Sequence, residues 1–370
     1  MALTVFFLLS DKAPSDMWAV LYIAFVLAGC TERPASSPFR EPVDSLRLHQ
    51  AERNAQLVAR QRALAERFPR ISYRTVVIRS RRQLDSLFHA FGVGRSRDSA
   101  KVLATLNRKE FRFFRIGDSV VVPDQIVTDL RAYSVFPQFY AQAATIPQLI
   151  VLSNKYQAYA CYEHGELVRF AACNTGSKAK PTLPGKYFCN WKQRKRVSSL
   201  NSEWVLPFTI NFHQYAGCAF HAFEMPGRPV SHACVRQFLD DAEWLYRWVR
   251  TGNVRDSLGR FLPYGTPVII LDMFDYRRKR FGPWLDLTSN QPAIEDLPPD
   301  PLAVEEPWIP ISQIPHKIRR GLPNKRRYLV ARDTLLARGI IDSTFRFQES
   351  IDYNERRRQR LKMSSSSPAR

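Results

Sequence analysis

At 370 residues the chain is longer than one domain of ordinary size, and 45% hydrophobic content is enough to bury more than one core. A single small module is therefore excluded, and two folded domains are expected. The 55 Lys and Arg against 34 Asp and Glu leave a net charge of +21, which favours polyanionic partners and makes nucleic acid the first to weigh. In chain order, the first feature is a nearly uncharged apolar run over residues 17–29, closing on Leu27-Ala28-Gly29-Cys30. A bilayer core needs about 20 apolar residues, so this run is too short to span one comfortably. Lys12 is the only basic side chain before it, and a second apolar run over residues 2–9 precedes Lys12, which leaves Met17 as an alternative start.

Its Leu-Ala-Gly-Cys ending resembles the lipobox of a bacterial lipoprotein signal. The resemblance implies a signal peptide over residues 1–30, cleavage before Cys30 and lipidation of Cys30. The protein would then be lipid-anchored on the periplasmic side of a bacterial cell envelope, since more than one acyl chain suffices for stable anchoring. An uncleaved anchor is the alternative. In that compartment the polyanions are wall and membrane polymers, so nucleic acid drops out as a partner. Residues 31–70 read as a tether and a surface helix: 34–42 is rich in Pro and Ser, and 43–68 spaces Ala and Leu among charges at helical intervals.

Residues 71–126 hold a β-rich stretch, Thr75-Val76-Val77-Ile78, and two short helical patterns, first Leu84, Leu87, Phe88 and Phe91, then Val102, Leu103 and Leu106 before Asn107. The run Ile116-Gly117-Asp118-Ser119-Val120-Val121-Val122-Pro123 closes the segment. This strand-helix-helix-strand order and its closing run resemble a LysM domain, although Ser80-Arg81-Arg82-Gln83 stands where that family opens on G-D-[ST]-L. The resemblance implies a small β-α-α-β module that binds glycan chains and raises the local concentration of an attached enzyme's substrate. A helical spacer with no ligand is the alternative.

The chemistry lies in residues 148–275, where Ser231-His232-Ala233-Cys234 and the upstream Phe220-His221-Ala222 bring one thiol near two imidazoles. A thiol attacks carbonyls well only as the thiolate, so a histidine must sit against Cys234. In an extended strand His232 shares a face with Cys234, and His221 can arrive from a neighbouring strand. A helix dipole is not available for the task, because the next helix is expected to start only at Asp240, where Asp240-Asp241-Ala242-Glu243 has capping-box spacing. Two other readings compete. Cys234 can be an inert core thiol, or Cys218-x-x-His221 and His232-x-Cys234 can supply four zinc ligands.

Several ordered motifs weigh against both. Ile150-Val151-Leu152-Ser153 with Gln157-Ala158-Tyr159-Ala160, and Glu166-Leu167-Val168-Arg169-Phe170 after the His164-Gly165 turn, read as an opening strand and its hairpin partner. Asn174-Thr175-Gly176, Pro181-Thr182-Leu183-Pro184-Gly185-Lys186-Tyr187, Phe220-His221-Ala222, the Ser231 block running on to Arg236, and Gly265-Thr266-Pro267-Val268-Ile269-Ile270 follow. Together they resemble the L,D-transpeptidase catalytic domain, also called the YkuD domain. The resemblance implies an α+β chain: a mostly antiparallel β-sandwich catalytic domain with a helix after Cys234, joined to the LysM-like module. It implies Cys234 as nucleophile and His221 as general base, the imidazole oriented by the Ala222 carbonyl. Oxyanion support would come from the amides of Ala233 and Cys234, while His232 lines the site, Arg236 anchors a carboxylate and Ser231 bonds locally to backbone. The substrates implied are peptidoglycan stem peptides, joined in 3-3 cross-links, with carboxypeptidase, lipoprotein-attaching and non-catalytic wall-binding roles as alternatives. Neither a metal nor an organic cofactor is required.

Two departures stand out. Ala233 replaces the usual glycine, which restricts any positive φ there. The short interval from His221 to Ser231 reduces the covering loop to Met225-Pro226-Gly227-Arg228-Pro229 and implies an open site. Core packing is the expected role for Trp191, Trp204, Phe212 and Tyr215, with lining a substrate groove as the alternative, and for Trp244 and Trp248, which are excluded from the site. A turn at His164-Gly165 sets Cys161 opposite Val168, so a Cys161–Cys173 bridge is not expected, and buried free thiols are the default for these two, Cys189 and Cys218. Residues 276–370 read as an extension: 290–315 is Pro-rich and acidic and favours a poorly packed connector, 328–341 admits a short helix, and Lys317, Arg319, Arg320, Lys325 to Arg327, Arg356 to Arg358 and Arg360 concentrate charge suited to anionic wall or lipid polymers.

Overall fold

The computed structural model describes residues 43–95, 97–255, 261–278 and 282–365, so the lipobox-like segment, Cys30 and the Pro/Ser-rich stretch lie outside the described residues. The chain divides into a unit over residues 1–52 and a unit over 53–370. Of the first, only the opening of helix α1 (Val43–Ala65) is described. Among the described residues no helix is long and apolar enough to cross a membrane.

Within the second unit, β1 (Tyr73–Val77), α2 (Arg81–Ala90), α3 (Arg97–Asn107) and β2 (Ser119–Pro123) follow in the expected order, and β1 pairs antiparallel with β2, Tyr73 opposite Pro123. Ser80 caps α2, its Oγ accepting from Gln83 N at 3.2 Å while Gln83 Oε1 accepts from Arg79 N at 2.8 Å. The unusual Ser80-Arg81-Arg82-Gln83 is thus a helix start with capping-box chemistry. Ile78, Leu84, Phe91, Leu103, Phe114, Val120 and Val122 close a small core of their own.

The larger part is built on two sheets. The first runs β5-β4-β3-β13-β6, with β3 (Leu149–Ser153), β4 (Ala158–Glu163), β5 (Glu166–Ala172), β6 (Gly185–Phe188) and β13 (Pro267–Ile270). All its pairings are antiparallel except β13 with β3. Every residue of β3 is buried, because the sheet is covered on both faces. Ile150 and Leu152 join Tyr159 and Cys161 in one core, whereas Leu149 and Val151 join Ala160, Tyr162 and Phe170 in another with Ile71, Val102, Phe136 and Trp284. The alternation of side chains along a strand produces this split.

The second sheet runs β10-β9-β8-β7, from β7 (Trp191–Val197), β8 (Val205–His213), β9 (Cys218–Ala222) and β10 (Val235–Gln237). Ile210, Phe212, Phe220 and Val235 face the first sheet's Ile150 and Leu152 and fill the core between the two layers. Helix α4 (Leu239–Trp248) follows β10, and a short antiparallel pair, β11 (Asn253–Arg255) and β12 (Phe261–Pro263), precedes β13. The fold is mixed α+β.

Three sequence expectations change. Helix α4 begins at Leu239 behind Phe238, which offers no side-chain cap. Asp240 and Glu243, the expected capping box, instead pair with Lys101 at 2.7 Å and Arg247 at 2.5 Å, while Asp241 is fully buried and holds Arg169 of β5 at 2.6 Å and Lys101 of α3 at 2.7 Å. A bulge between Cys161 and Tyr162 shifts the β4–β5 register, so Cys161 faces Arg169 rather than Val168. The C-terminal extension is irregular but not poorly packed. Ile309, Ile314, Leu322, Leu335, Ile341 and Phe345 enter the core shared by the two sheets, with α5 (Lys325–Ala337) contributing Leu335 and α6 (Tyr353–Ser365) closing the described chain. The thiols of Cys161, Cys173, Cys189, Cys218 and Cys234 are all free, the first four buried.

Candidate active site

Strands β9 and β10 pair in parallel with Arg236 opposite His221 and Val235 opposite Phe220. Residues directly across a ladder share a face, and so do i and i+2, so His221 and Arg236 lie opposite the core face that takes Phe220 and Val235. Cys234, just before the strand, opens to the same side. Cys234, His221, Arg236, Ser231 and His232 all line one cavity of about 840 Å³.

The turn that carries the thiol is held by the Asn174-Thr175-Gly176 segment. Asn174 and Arg236 exchange two backbone hydrogen bonds of 3.0 Å, Ser231 N donates to Thr175 O at 3.0 Å, and Ser177 N donates to Ser231 O at 3.0 Å. Thr182 Oγ1 accepts from Gly176 N at 2.9 Å and donates to Ala233 O at 3.2 Å. Gly176 is required here, since a Cβ would stand 2.2 Å from Lys180 O and 2.5 Å from Thr182 N. Buried Gln157 locks Thr175 from behind, donating to its Oγ1 at 2.7 Å and accepting from its N at 2.8 Å. Ser231 Oγ donates to the Cys234 carbonyl. Ala233 adopts φ +70, the left-handed conformation that its side chain resists.

His221 is almost fully buried, and its Nδ1 shares a 3.0 Å hydrogen bond with Ala222 O. A carbonyl can only accept, so Nδ1 carries the hydrogen and Nε2 is left as the basic nitrogen. Burial is the main cause that pushes the imidazole down to about 4, aided by Arg236 and opposed by the Ala222 carbonyl. The Cys234 thiol donates to Gly217 O at 3.6 Å. Burial pushes it above the ordinary thiol range, against smaller lowering by the Ala219 N–H and Arg236. Sequence reasoning expected a thiolate and an imidazolium, but burial disfavours both charges.

His232 does not reach the cavity by strand alternation, because β10 starts only at Val235 and the left-handed Ala233 breaks the extended run. Its ring lies 5.2 Å from that of Trp204, and its Nε2 shares a 2.8 Å hydrogen bond with the Tyr353 hydroxyl. Arg236 Nη1 donates to Glu224 O at 3.2 Å, and its guanidinium stacks 4.6 Å above Phe223. Trp191 and Trp204 line the cavity, Tyr215 lines it while also packing against the core, and Phe212 is a core residue. Trp244 and Trp248 stack on each other 5.5 Å apart, half-buried against the core.

Met225 is fully buried with Ala104, Ala172 and Phe238, and the short loop it begins joins α3, Glu110 N donating to Met225 O. Cover comes from the C-terminal extension, whose residues 315–318 and 349–352 line the cavity with Glu355, Arg356 and Gln359. That contribution and Tyr353 were missed from sequence, as no local pattern marks either. Among the described residues no three His, Cys, Asp or Glu side chains gather as metal ligands, so Cys218, His221, His232 and Cys234 do not form the zinc set weighed from their spacing.

No curated protein matches the chain. Among solved structures, an L,D-transpeptidase from Stackebrandtia nassauensis is 20% identical, with 35% of this chain and 57% of that one covered and a TM-score of 0.29. One from Mycobacterium smegmatis is 18% identical, with 34% and 58% covered and a TM-score of 0.28. One from Xylanimonas cellulosilytica DSM 15894 is 24% identical, with 33% and 59% covered and a TM-score of 0.26. The chain thus spans 57% to 59% of the length of these three. Residues 147–270, the segment that carries Cys234 and His221, match the family model of the L,D-transpeptidase catalytic domain, YkuD.

Proposed function

We propose that the chain is a peptidoglycan L,D-transpeptidase working through Cys234. The observation that carries this reading is the opening of Cys234 and His221 into one large cavity, with His221 Nδ1 tied to the Ala222 carbonyl. Starting from a neutral pair, His221 Nε2 takes the thiol proton as sulfur adds to the carbonyl that precedes the terminal D-alanine of a stem tetrapeptide. The amides of Ala233 and Cys234 donate to the developing oxyanion, a role worth a few kcal/mol. His221 then returns the proton to the departing D-alanine amine and a thioester remains. A neighbouring diaminopimelate amine, relieved of its proton by His221, displaces the sulfur and forms the 3-3 cross-link. Arg236 lines the cavity wall, which supports a role for it in receiving a stem carboxylate.

In this reading the protein acts at the bacterial cell wall. The LysM resemblance of residues 71–126 supports glycan binding there, the lipobox-like end at Cys30 supports a lipid anchor, and the basic C-terminal residues suit anionic wall or lipid polymers. Incubation with purified muropeptides tests the reaction: new 3-3 dimers are expected, and Cys234→Ala abolishes them. Free tripeptides alone would replace cross-linking by carboxypeptidase activity, and unchanged muropeptides would end the enzymatic reading. A carbapenem is expected to acylate Cys234, which the intact mass reports.

A further inference from the structure

Residues 349–359 lie outside the segment that matches the family, yet they supply part of the cavity wall beside Cys234. This wall is docked at several points. Tyr353 N donates to Leu200 O at 2.9 Å, Asn354 Oδ1 accepts from Ser202 N at 2.8 Å, Arg357 pairs with Glu203 at 2.9 Å, and Lys317 pairs with Asp352 at 2.8 Å. The contacts converge on His232. Its ring packs against both Trp204, 5.2 Å away, and Tyr353, 5.6 Å away, and these two rings also touch each other at 5.4 Å. The Tyr353 hydroxyl and His232 Nε2 share a 2.8 Å hydrogen bond.

His232 immediately precedes the left-handed Ala233 and stands two residues before the thiol. A side chain packed against two aromatic rings and tied by a hydrogen bond at that point restrains the backbone that aims Cys234 and the neighbouring amides. We propose that Tyr353 is a positioning residue: by holding His232 it keeps the Ser231–Cys234 turn, and so the thiol, in place against the Ala219 N–H and Arg236. The proposal rests on the acyl-transfer reading only for its consequence in turnover, because the placement of the sulfur can be read without any substrate. Geometry matters here, since misplacement of a reacting group by about 1 Å costs up to roughly 100-fold in rate.

Tyr353→Phe tests this, as it keeps the ring packing and the backbone bond and removes the hydroxyl alone. With the turn loosened, Cys234 loses part of the contact with the Ala219 N–H and Arg236 that favours its thiolate. The pH midpoint for iodoacetamide alkylation of Cys234 then moves up by about 0.5, and acylation by a carbapenem slows about 3- to 10-fold, the range set by one hydrogen bond. A staple that merely holds α6 in place would leave the midpoint where it is. His232→Ala is expected to move the midpoint by a similar amount, and adding Tyr353→Phe to it to change nothing further. A wild-type midpoint in Tyr353→Phe, or equal effects of that substitution with and without His232, overturns the proposal. Should the midpoint move while wild-type protein gives no adduct with any β-lactam and no change in muropeptides, the positioning role stands and the acyl-transfer reading falls.

Discussion

Ala233 holds φ +70 beside the Cys234 thiol. For a residue with a Cβ that conformation costs about 1–2 kcal/mol, whereas glycine enters it freely but gives back about 0.4–1 kcal/mol through a looser unfolded chain. Ala233→Gly is therefore expected to stabilise the fold by about 0.5–1 kcal/mol, seen as a higher urea midpoint; an equal or lower midpoint would mean that packing around the Ala233 methyl outweighs the strain. The thiol next to it invites a second measurement. Burial raises Cys234, and the Ala219 N–H and Arg236 only partly compensate. Alkylation of wild-type protein should rise with pH at a midpoint above that of an ordinary thiol, and Arg236→Met should push it higher still. A midpoint below the ordinary value would show instead that the resting sulfur is already ionised. Cys234, His221 and Ala222 could be picked out from the chain alone because each lies in a short contiguous block whose chemistry is visible locally. Tyr353 could not, since 121 residues separate it from His232.

Among the elements, α4 is tied to the rest of the molecule through Asp241, whose side chain is fully buried between Lys101 and Arg169. Removing one member of a buried ion pair strands the others, at a cost of about 3–5 kcal/mol, trimmed here because both cations keep some contact with solvent. Asp241→Ala is expected to cost about 2–3 kcal/mol in urea unfolding, with Asp241→Asn recovering part of it; a loss below about 0.5 kcal/mol would show that the pair adds little. The backbone of the Asn174-Thr175-Gly176 segment is less forgiving, since Gly176 has no room for a methyl group. The strands were readable in the sequence because continuous or alternating apolar runs carry a period. The bulge at Cys161 was not, as one inserted residue leaves no trace in composition. Nor was the packing of the C-terminal extension, whose Ile309, Ile314, Leu322, Ile341 and Phe345 enter the core from largely irregular backbone and follow neither the 2.0 nor the 3.6 repeat.

Over the molecule as a whole, residues 53–370 behave as one compact unit rather than as an enzyme and a loosely tethered module. Asn174 Nδ2 donates to Arg108 O at 3.1 Å, Glu110 N donates to Met225 O at 2.9 Å, and the buried Arg108 guanidinium donates to Tyr156 O at 3.0 Å, so the β-α-α-β module is locked onto the segment that supports the Cys234 turn. A unit so closely packed keeps two histidines neutral inside it. His213 and His221 are each pushed down to about 4, mainly by burial. In the unfolded chain both titrate near 6.5. Between those values the unfolded state binds protons that the folded state does not, so stability is intact above about pH 6.5 and is lost as pH falls toward 4. The lowered carboxyls of Asp129, Asp240 and Asp352 act below that window, because protonation reaches even their unfolded forms only near 4. His213 does not line the cavity that holds Cys234, and it accepts from Ala216 N through Nδ1 at 3.0 Å, a bond that a glutamine oxygen can replace. His213→Gln is thus expected to flatten the fall in urea midpoint between pH 6.5 and 4 by about half. An identical slope in the variant would mean that other groups take up the protons.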